Sequence, residues 1–171
     1  MIIGTHNGYA LSFKSSVVRS MGRSAAGVRG IRLRDEDYVI GAAPLNPDSK
    51  VLVISENGFG KQTPASEYPI KGRGGLGVKT VNVTAKNGPL VGLTTVNGDE
   101  DIMLVTDQGV IIRFDIESVS QTGRSAVGVH LIKMDNGARV ATIAKVDKEV
   151  DEETEEATNN SSQEENQPTE N

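Results

Sequence analysis

Two short motifs recur three times along this chain in a common register, and that periodicity limits the architecture before any single residue does. The first is a polar turn ending in glycine: Thr5-His6-Asn7-Gly8-Tyr9, Ser55-Glu56-Asn57-Gly58-Phe59 and Thr106-Asp107-Gln108-Gly109-Val110. Its glycines lie 50 and 51 residues apart. The second motif follows 14 residues later as Gly22-Arg23-Ser24-Ala25-Ala26-Gly27-Val28, Gly72-Arg73-Gly74-Gly75-Leu76-Gly77-Val78 and Gly123-Arg124-Ser125-Ala126-Val127-Gly128-Val129. The arginines keep the same spacings of 50 and 51.

Each unit reads as short strands. Val51-Leu52-Val53-Ile54 and Ile102-Met103-Leu104-Val105 are apolar runs that stop at a turn. Asn57-Gly58 tolerates the positive φ of a tight hairpin. The segment Gly77–Val83 largely alternates, as a half-buried strand does. Asn87-Gly88 and Asn136-Gly137 predict further turns before Leu90-Val91-Gly92-Leu93 and Arg139-Val140-Ala141-Thr142-Ile143. Asp115-Ile116-Glu117-Ser118-Val119 has room for one helical turn. About four strands per ~50 residues is the size of a propeller blade. The predicted fold is all-β: a partial β-propeller of three blades, each of about four antiparallel strands, with repeats at 1–49, 50–100 and 101–146.

Beyond the repeats the composition changes. Residues 147–171 hold ten acids, one Lys and one aliphatic side chain larger than Ala, Val150. Such a segment cannot bury enough surface to offset its ordering entropy and is expected to be a disordered acidic tail. Residues 1–146 hold 17 Lys and Arg against 13 Asp and Glu, so the net charge of -5 hides a basic body. That asymmetry points to nucleic acid, with a tail that either competes for the basic surface or only solubilises. The chain has no Cys, which excludes a disulfide scaffold, a thiolate zinc site and a Cys nucleophile, and fits a reducing cytoplasm. No apolar run is long enough to cross a bilayer, and the N-terminal residues lack the pattern of a signal peptide. A cytoplasmic protein without a membrane partner is expected.

The Gly-Arg loops carry the chemistry. Small residues around one Arg keep the backbone thin, so a polyanion can approach and meet free N–H groups. The guanidinium adds a permanent charge whose fork matches phosphate oxygens. One such loop per blade places a cation at regular intervals, which suits a long polyanion. The candidate DNA contacts are therefore Arg23, Arg73 and Arg124, supported by Lys71, Lys79, Arg29 and Arg32. The loop glycines are Gly22, Gly27, Gly72, Gly74, Gly75, Gly77, Gly123 and Gly128. The middle loop also satisfies G-x-G-x-x-G. A dinucleotide site needs a strand before that motif and a helix after it. Here a β-type alternation follows, and Ser24, Ala25, Ser125 and Ala126 replace the inner glycines elsewhere.

Other chemistry is poorly supported. His6 and His130 lack clustered carboxylates, so no metal ligands are assigned. His130 stands where Arg29 and Lys79 stand in the other copies. Asp35-Glu36-Asp37 and Asp99-Glu100-Asp101 read as solvated acidic turns. Phe13 and Phe114 share one repeat position and are expected to pack in the core, and Tyr9, Tyr38 and Tyr68 to pack or cover loops. No catalytic residue is assigned.

These loops, together with Ile2-Ile3-Gly4-Thr5-His6-Asn7-Gly8-Tyr9-Ala10-Leu11-Ser12-Phe13, resemble the C-terminal domain of the bacterial DNA gyrase A protein over residues 1–146. The resemblance implies three of the family's six β-pinwheel blades, the last three, followed by its acidic tail. It implies double-stranded DNA as ligand, bound and wrapped on a basic outer rim. Wrapping gives the crossing a fixed hand, so the parent isomerase, an ATP-dependent type IIA topoisomerase, introduces negative supercoils. It further implies the gyrase B protein and a second gyrase A protein as partners. This chain itself needs no cofactor, because ATP and Mg act on other domains or subunits. The family's Gln-Arg-Arg-Gly-Gly-Lys-Gly box is absent; Lys71-Gly72-Arg73-Gly74-Gly75-Leu76-Gly77 is its nearest relative, so poor wrapping is expected. None of the three tyrosines matches the Arg-Tyr-Thr setting of the family's nucleophile. Two other readings stand beside this one: the equivalent domain of topoisomerase IV, and a propeller used as a protein-interaction module.

Overall fold

The computed structural model describes residues 1–134 and 137–148. The predicted hairpins form in each unit. Strand β1 (Ile2–Thr5) turns through Gly8 into β2 (Tyr9–Ser12), and β3 (Val39–Ala43) returns antiparallel to β1. The second unit repeats this with β4 (Lys50–Ser55), β5 (Phe59–Pro64), the short β6 (Val78–Lys79) and β7 (Leu90–Val96). The third has β8 (Glu100–Thr106), β9 (Ile111–Asp115), β10 (Val129–His130) and β11 (Val140–Asp147). After each hairpin comes one 3-10 turn, at Ser15–Val17, Ala65–Glu67 and Ile116–Ser118.

The sheets are not made each from its own unit. The first runs β3-β1-β2-β6, the second β10-β5-β4-β7 and the third β11-β8-β9. The outer strand of the first sheet thus comes from the second unit, and that of the second sheet from the third. Val78 pairs with Ala10 and Lys79 with Tyr9; Val129 pairs with Gly60 and His130 with Phe59. This corrects two expectations. The alternating run 77–83 is a strand over Val78–Lys79 only, because pairing with β2 spans just those residues and Val81 then turns into the core. And among the described residues the third sheet has three strands, not four.

The core lies between facing sheets. Val51 and Val53 of β4 pack with Ile2, Ala10, Ala43 and Leu93 on one side. Leu52 and Ile54, on the opposite pleat face, pack with Ile102, Leu104, Ile116 and Val140 on the other. The middle strand is therefore buried on both faces, which explains its unbroken apolar run. Each such side chain contributes about 1.5–3 kcal/mol by burial. Phe13 is buried with Leu11 and Ile31, and Phe114 packs against the second cluster, as the core reading expected. The strand β11 reaches Asp147, where the acidic segment begins. The expected disorder of that segment from Glu149, and the first residue of the Asn136-Gly137 turn, lie outside the described residues.

Candidate nucleic-acid interface

The three Gly-Arg loops follow their 3-10 turns and sit at the junctions between sheets. In the first and third, an amide-to-carbonyl bond closes the loop: Ala25 N–H donates to Gly22 O at 3.1 Å and Ala126 N–H to Gly123 O at 3.2 Å. The last glycine then turns the chain into the exchanged strand. Gly77 has φ +72° and Gly128 φ +91°, and a Cβ at either would lie 2.7 Å from Ala10 O or 2.6 Å from Gly60 O. Glycine is required there by both conformation and space. In the second and third loops the spacing Gly-Arg-x-x-x-Gly thus leads into a strand exchange.

The arginines of the second and third loops have a role that sequence did not reveal. Arg73 Nη1 donates to the carbonyl of Arg29 at 2.6 Å, and Arg124 Nη1 to the carbonyl of Lys79 at 3.0 Å. Arg29 and Lys79 hold the same repeat position, so each guanidinium latches its loop to the preceding one. Both side chains are half-buried. Arg23 has the same sequence setting but is exposed, as are Arg29, Arg32, Lys71 and Lys79. Sequence reasoning also passed over Lys14 and Arg19, which are exposed beside the first loop. It passed over Arg34 too. That guanidinium lies 3.5 Å from the Tyr9 ring centroid, and its Nη1 donates to Leu76 O at 2.8 Å.

The loops differ in charge. The stretch 14–34 carries six cations and no acid; 65–86 carries four cations and Glu67; 116–134 carries Arg124, Lys133 and one acid, Glu117. Glu67 further screens the third loop, because its carboxylate accepts the Arg124 amide at 3.0 Å. Basic character falls from the first loop to the third.

Under the third loop lies Lys61, fully buried, whose ammonium donates to Gly123 O at 2.6 Å and to Arg124 O. Leu11 stands at its place in the first unit. Burial lowers the Lys61 pKa to about 8; Glu67 opposes the shift and Arg124 adds to it. Between about pH 8 and the 10.5 of an unfolded lysine, only the unfolded chain holds this proton. Stability from this group therefore rises with pH across that window and is lost as pH falls through 8. The difference in unfolding free energy between the unaltered chain and Lys61→Met, followed by urea titration, should grow in favour of the unaltered chain from pH 8 to 10. A difference independent of pH would contradict a buried, displaced ammonium.

The remaining candidates serve the fold. Asp37 accepts the amides of Asn7 and Tyr38, and Glu100 those of Asn97 and Gly98. Asp101 pairs with Arg113 at 2.7 Å. His6 stacks on Tyr38 and its Nδ1–H donates to Leu90 O at 2.9 Å, while His130 lies against Phe59. Among the described residues, no three His, Cys, Asp or Glu gather as metal ligands. No helix among them is long and apolar enough to cross a membrane.

Three segments of the chain, 1–46, 49–97 and 100–147, match the family described as DNA gyrase C-terminal domain, beta-propeller. The chain belongs to this family. The matched segments coincide with the three hairpin-and-return units above. Gyrase relatives include the DNA gyrase A protein of Staphylococcus epidermidis, 49% identical over 88% of this chain, and that of Staphylococcus aureus (strain MRSA252), 47% identical over 89%. The chain spans 17% of the length of each. Among solved structures, the C-terminal domain of DNA topoisomerase IV aligns over 95% of this chain with a TM-score of 0.81 and 26% identity. The DNA gyrase A C-terminal domain aligns over 85% with a TM-score of 0.78 and 28% identity. This chain covers 51% and 50% of those two solved chains.

Proposed function

We propose that this chain is a DNA-binding C-terminal part of a DNA gyrase A protein, without catalytic residues of its own. It serves a type IIA topoisomerase that works with the gyrase B protein and a second gyrase A protein in the cytoplasm. The observation that carries the reading is the run of six cations without an acid over 14–34, five of them exposed and Arg34 half-buried. Such a surface neutralises phosphates without reading bases. Arg23, Arg29, Arg32, Lys71 and Lys79 make the phosphate contacts, with Lys14 and Arg19 beside them. Arg73 and Arg124 contribute charge while holding the loops together. The gyrase reading is supported by the 49% and 47% identity to gyrase A proteins over most of the chain, while the solved gyrase and topoisomerase IV domains, at 28% and 26% identity, fit about equally.

Competition assays test this. Duplexes of unrelated sequence should displace one another equally, since the contacts are to backbone. Ligation of a nicked circle in the presence of the chain should leave its linking number nearly unchanged, because the full basic box is absent. Lack of duplex binding would remove the proposal. A pull-down of proteins that survives nuclease would favour the interaction-module reading instead.

A further inference from the structure

The middle unit differs from its neighbours at two places, and both differences meet the third Gly-Arg loop. Counting from the turn glycines, Lys61 stands where the other units have Leu11 and Ile112, and Glu67 where they have Val17 and Ser118. Through the strand exchange, the second loop leads onto β2 and the third onto β5. The second loop rests on an apolar side chain: a Cβ at Gly75 would lie 3.7 Å from Leu11. The third rests on an ammonium.

One peptide group carries the consequence. The Gly123 carbonyl accepts from Lys61 Nζ at 2.6 Å, and the N–H of the same peptide, on Arg124, donates to Glu67 Oε2 at 3.0 Å. Its dipole is aligned between a fully buried cation and an exposed carboxylate. No side chain stands between them and the backbone. A Cβ at Gly123 would lie 3.7 and 3.8 Å from the two Glu67 oxygens, so the carboxylate faces bare main chain. The Arg124 guanidinium is near enough to act on Lys61 as well. A main-chain N–H flanked by two cations is a donor set for an anion. A carboxylate oxygen offers it the charge and lone pairs that a phosphate oxygen would. Glu67 is exposed, so it can swing into water without disturbing the core.

We propose that the Gly123–Arg124 peptide is a phosphate site already filled by Glu67, which a DNA phosphate enters only by displacing that carboxylate. The proposal rests on the DNA-binding reading and deepens it by naming the residue that holds the third loop back. At the second loop Val17 takes the place of Glu67 and offers no competing charge.

Binding of a short duplex by Glu67→Gln across salt concentrations tests it. Gln keeps the length of the side chain and an acceptor for the amide but loses the charge. Affinity at low salt should rise about fivefold, the worth of one exposed charged contact. The slope of log K against log salt should steepen by about 0.9, one added phosphate. Glu117→Gln changes the net charge equally at an exposed acid outside the loop. It should leave the slope unchanged and the affinity within about twofold. In amide NMR spectra of the Glu67→Gln chain, the Arg124 resonance should shift on addition of the duplex. The inference is overturned if Glu67→Gln binds no more tightly than Glu117→Gln, if it tightens with an unchanged slope, or if the Arg124 amide ignores the duplex. Each of those results leaves the binding reading standing when the unaltered chain still binds with a salt-dependent affinity. A flat salt dependence in the unaltered chain removes the binding reading, and this inference with it.

Discussion

Gly77→Val should lower the stability of this domain by about 3 kcal/mol. A β-branched residue at φ +72° costs about 1–2 kcal/mol in backbone conformation. Its Cβ would also lie 2.7 Å from Ala10 O, and relieving such an overlap costs about 1–3 kcal/mol. The damage falls on the exchanged pair Val78–Ala10, the seam between two sheets. Against a total of about 5–15 kcal/mol, the loss is large, on the order of a 10 °C fall in melting temperature. Gly128→Val should behave alike, with Gly60 O at 2.6 Å. Gly72→Ala is the control. An added Cβ there meets nothing, so the shift should stay within about 0.5 kcal/mol. Thermal melts of the three variants check this, and equal effects would refute the exchange role of the last loop glycine.

Replacing Arg19, Arg23, Arg29 and Arg32 together with Ala should have the largest effect on DNA. All four are exposed and none has an acidic residue within its own stretch to compete for it. At about 1 kcal/mol for each exposed contact, affinity at low salt should fall by several-hundred-fold. Lys133→Ala in the third unit should cost a few-fold at most, because Glu67 already screens the neighbouring loop through the Arg124 amide. The two variants, measured on one duplex under one buffer, test the decline in basic character along the chain. Equal losses per charge removed would show that the cations act only through net charge.

Much of this could be read from the residues. The turn glycines at 8, 58 and 109 set the hairpins, and the apolar runs 51–54 and 102–105 became β4 and β8 because they carried strand signals on both sides of a turn. The exchange itself was hidden. Val78-Lys79 looks like part of a longer alternating strand, and only the three-dimensional path brings it against Tyr9-Ala10, some seventy positions earlier. The Arg73 and Arg124 latches were hidden for the same reason. Their partners are backbone carbonyls, which every residue has and which no side-chain pattern reports. The burial of Lys61 was hidden too, since nothing local in the sequence shows that the third loop folds over it. The exposed cation of the first Gly-Arg loop was legible in the sequence, whereas the arginines of the other two also hold backbone carbonyls.

The most direct measurement of the central claim is filter binding of a short duplex across salt concentrations. Each phosphate contact contributes a slope of about -0.9 in log K against log salt. With Lys14, Arg19, Arg23, Arg29, Arg32, Lys71 and Lys79 exposed, a slope of about -4 to -6 is expected, becoming shallower by about 3 to 4 when the four arginines are removed. A flat dependence, or a slope that the four substitutions leave unchanged, would contradict a phosphate-binding surface built on the first Gly-Arg loop.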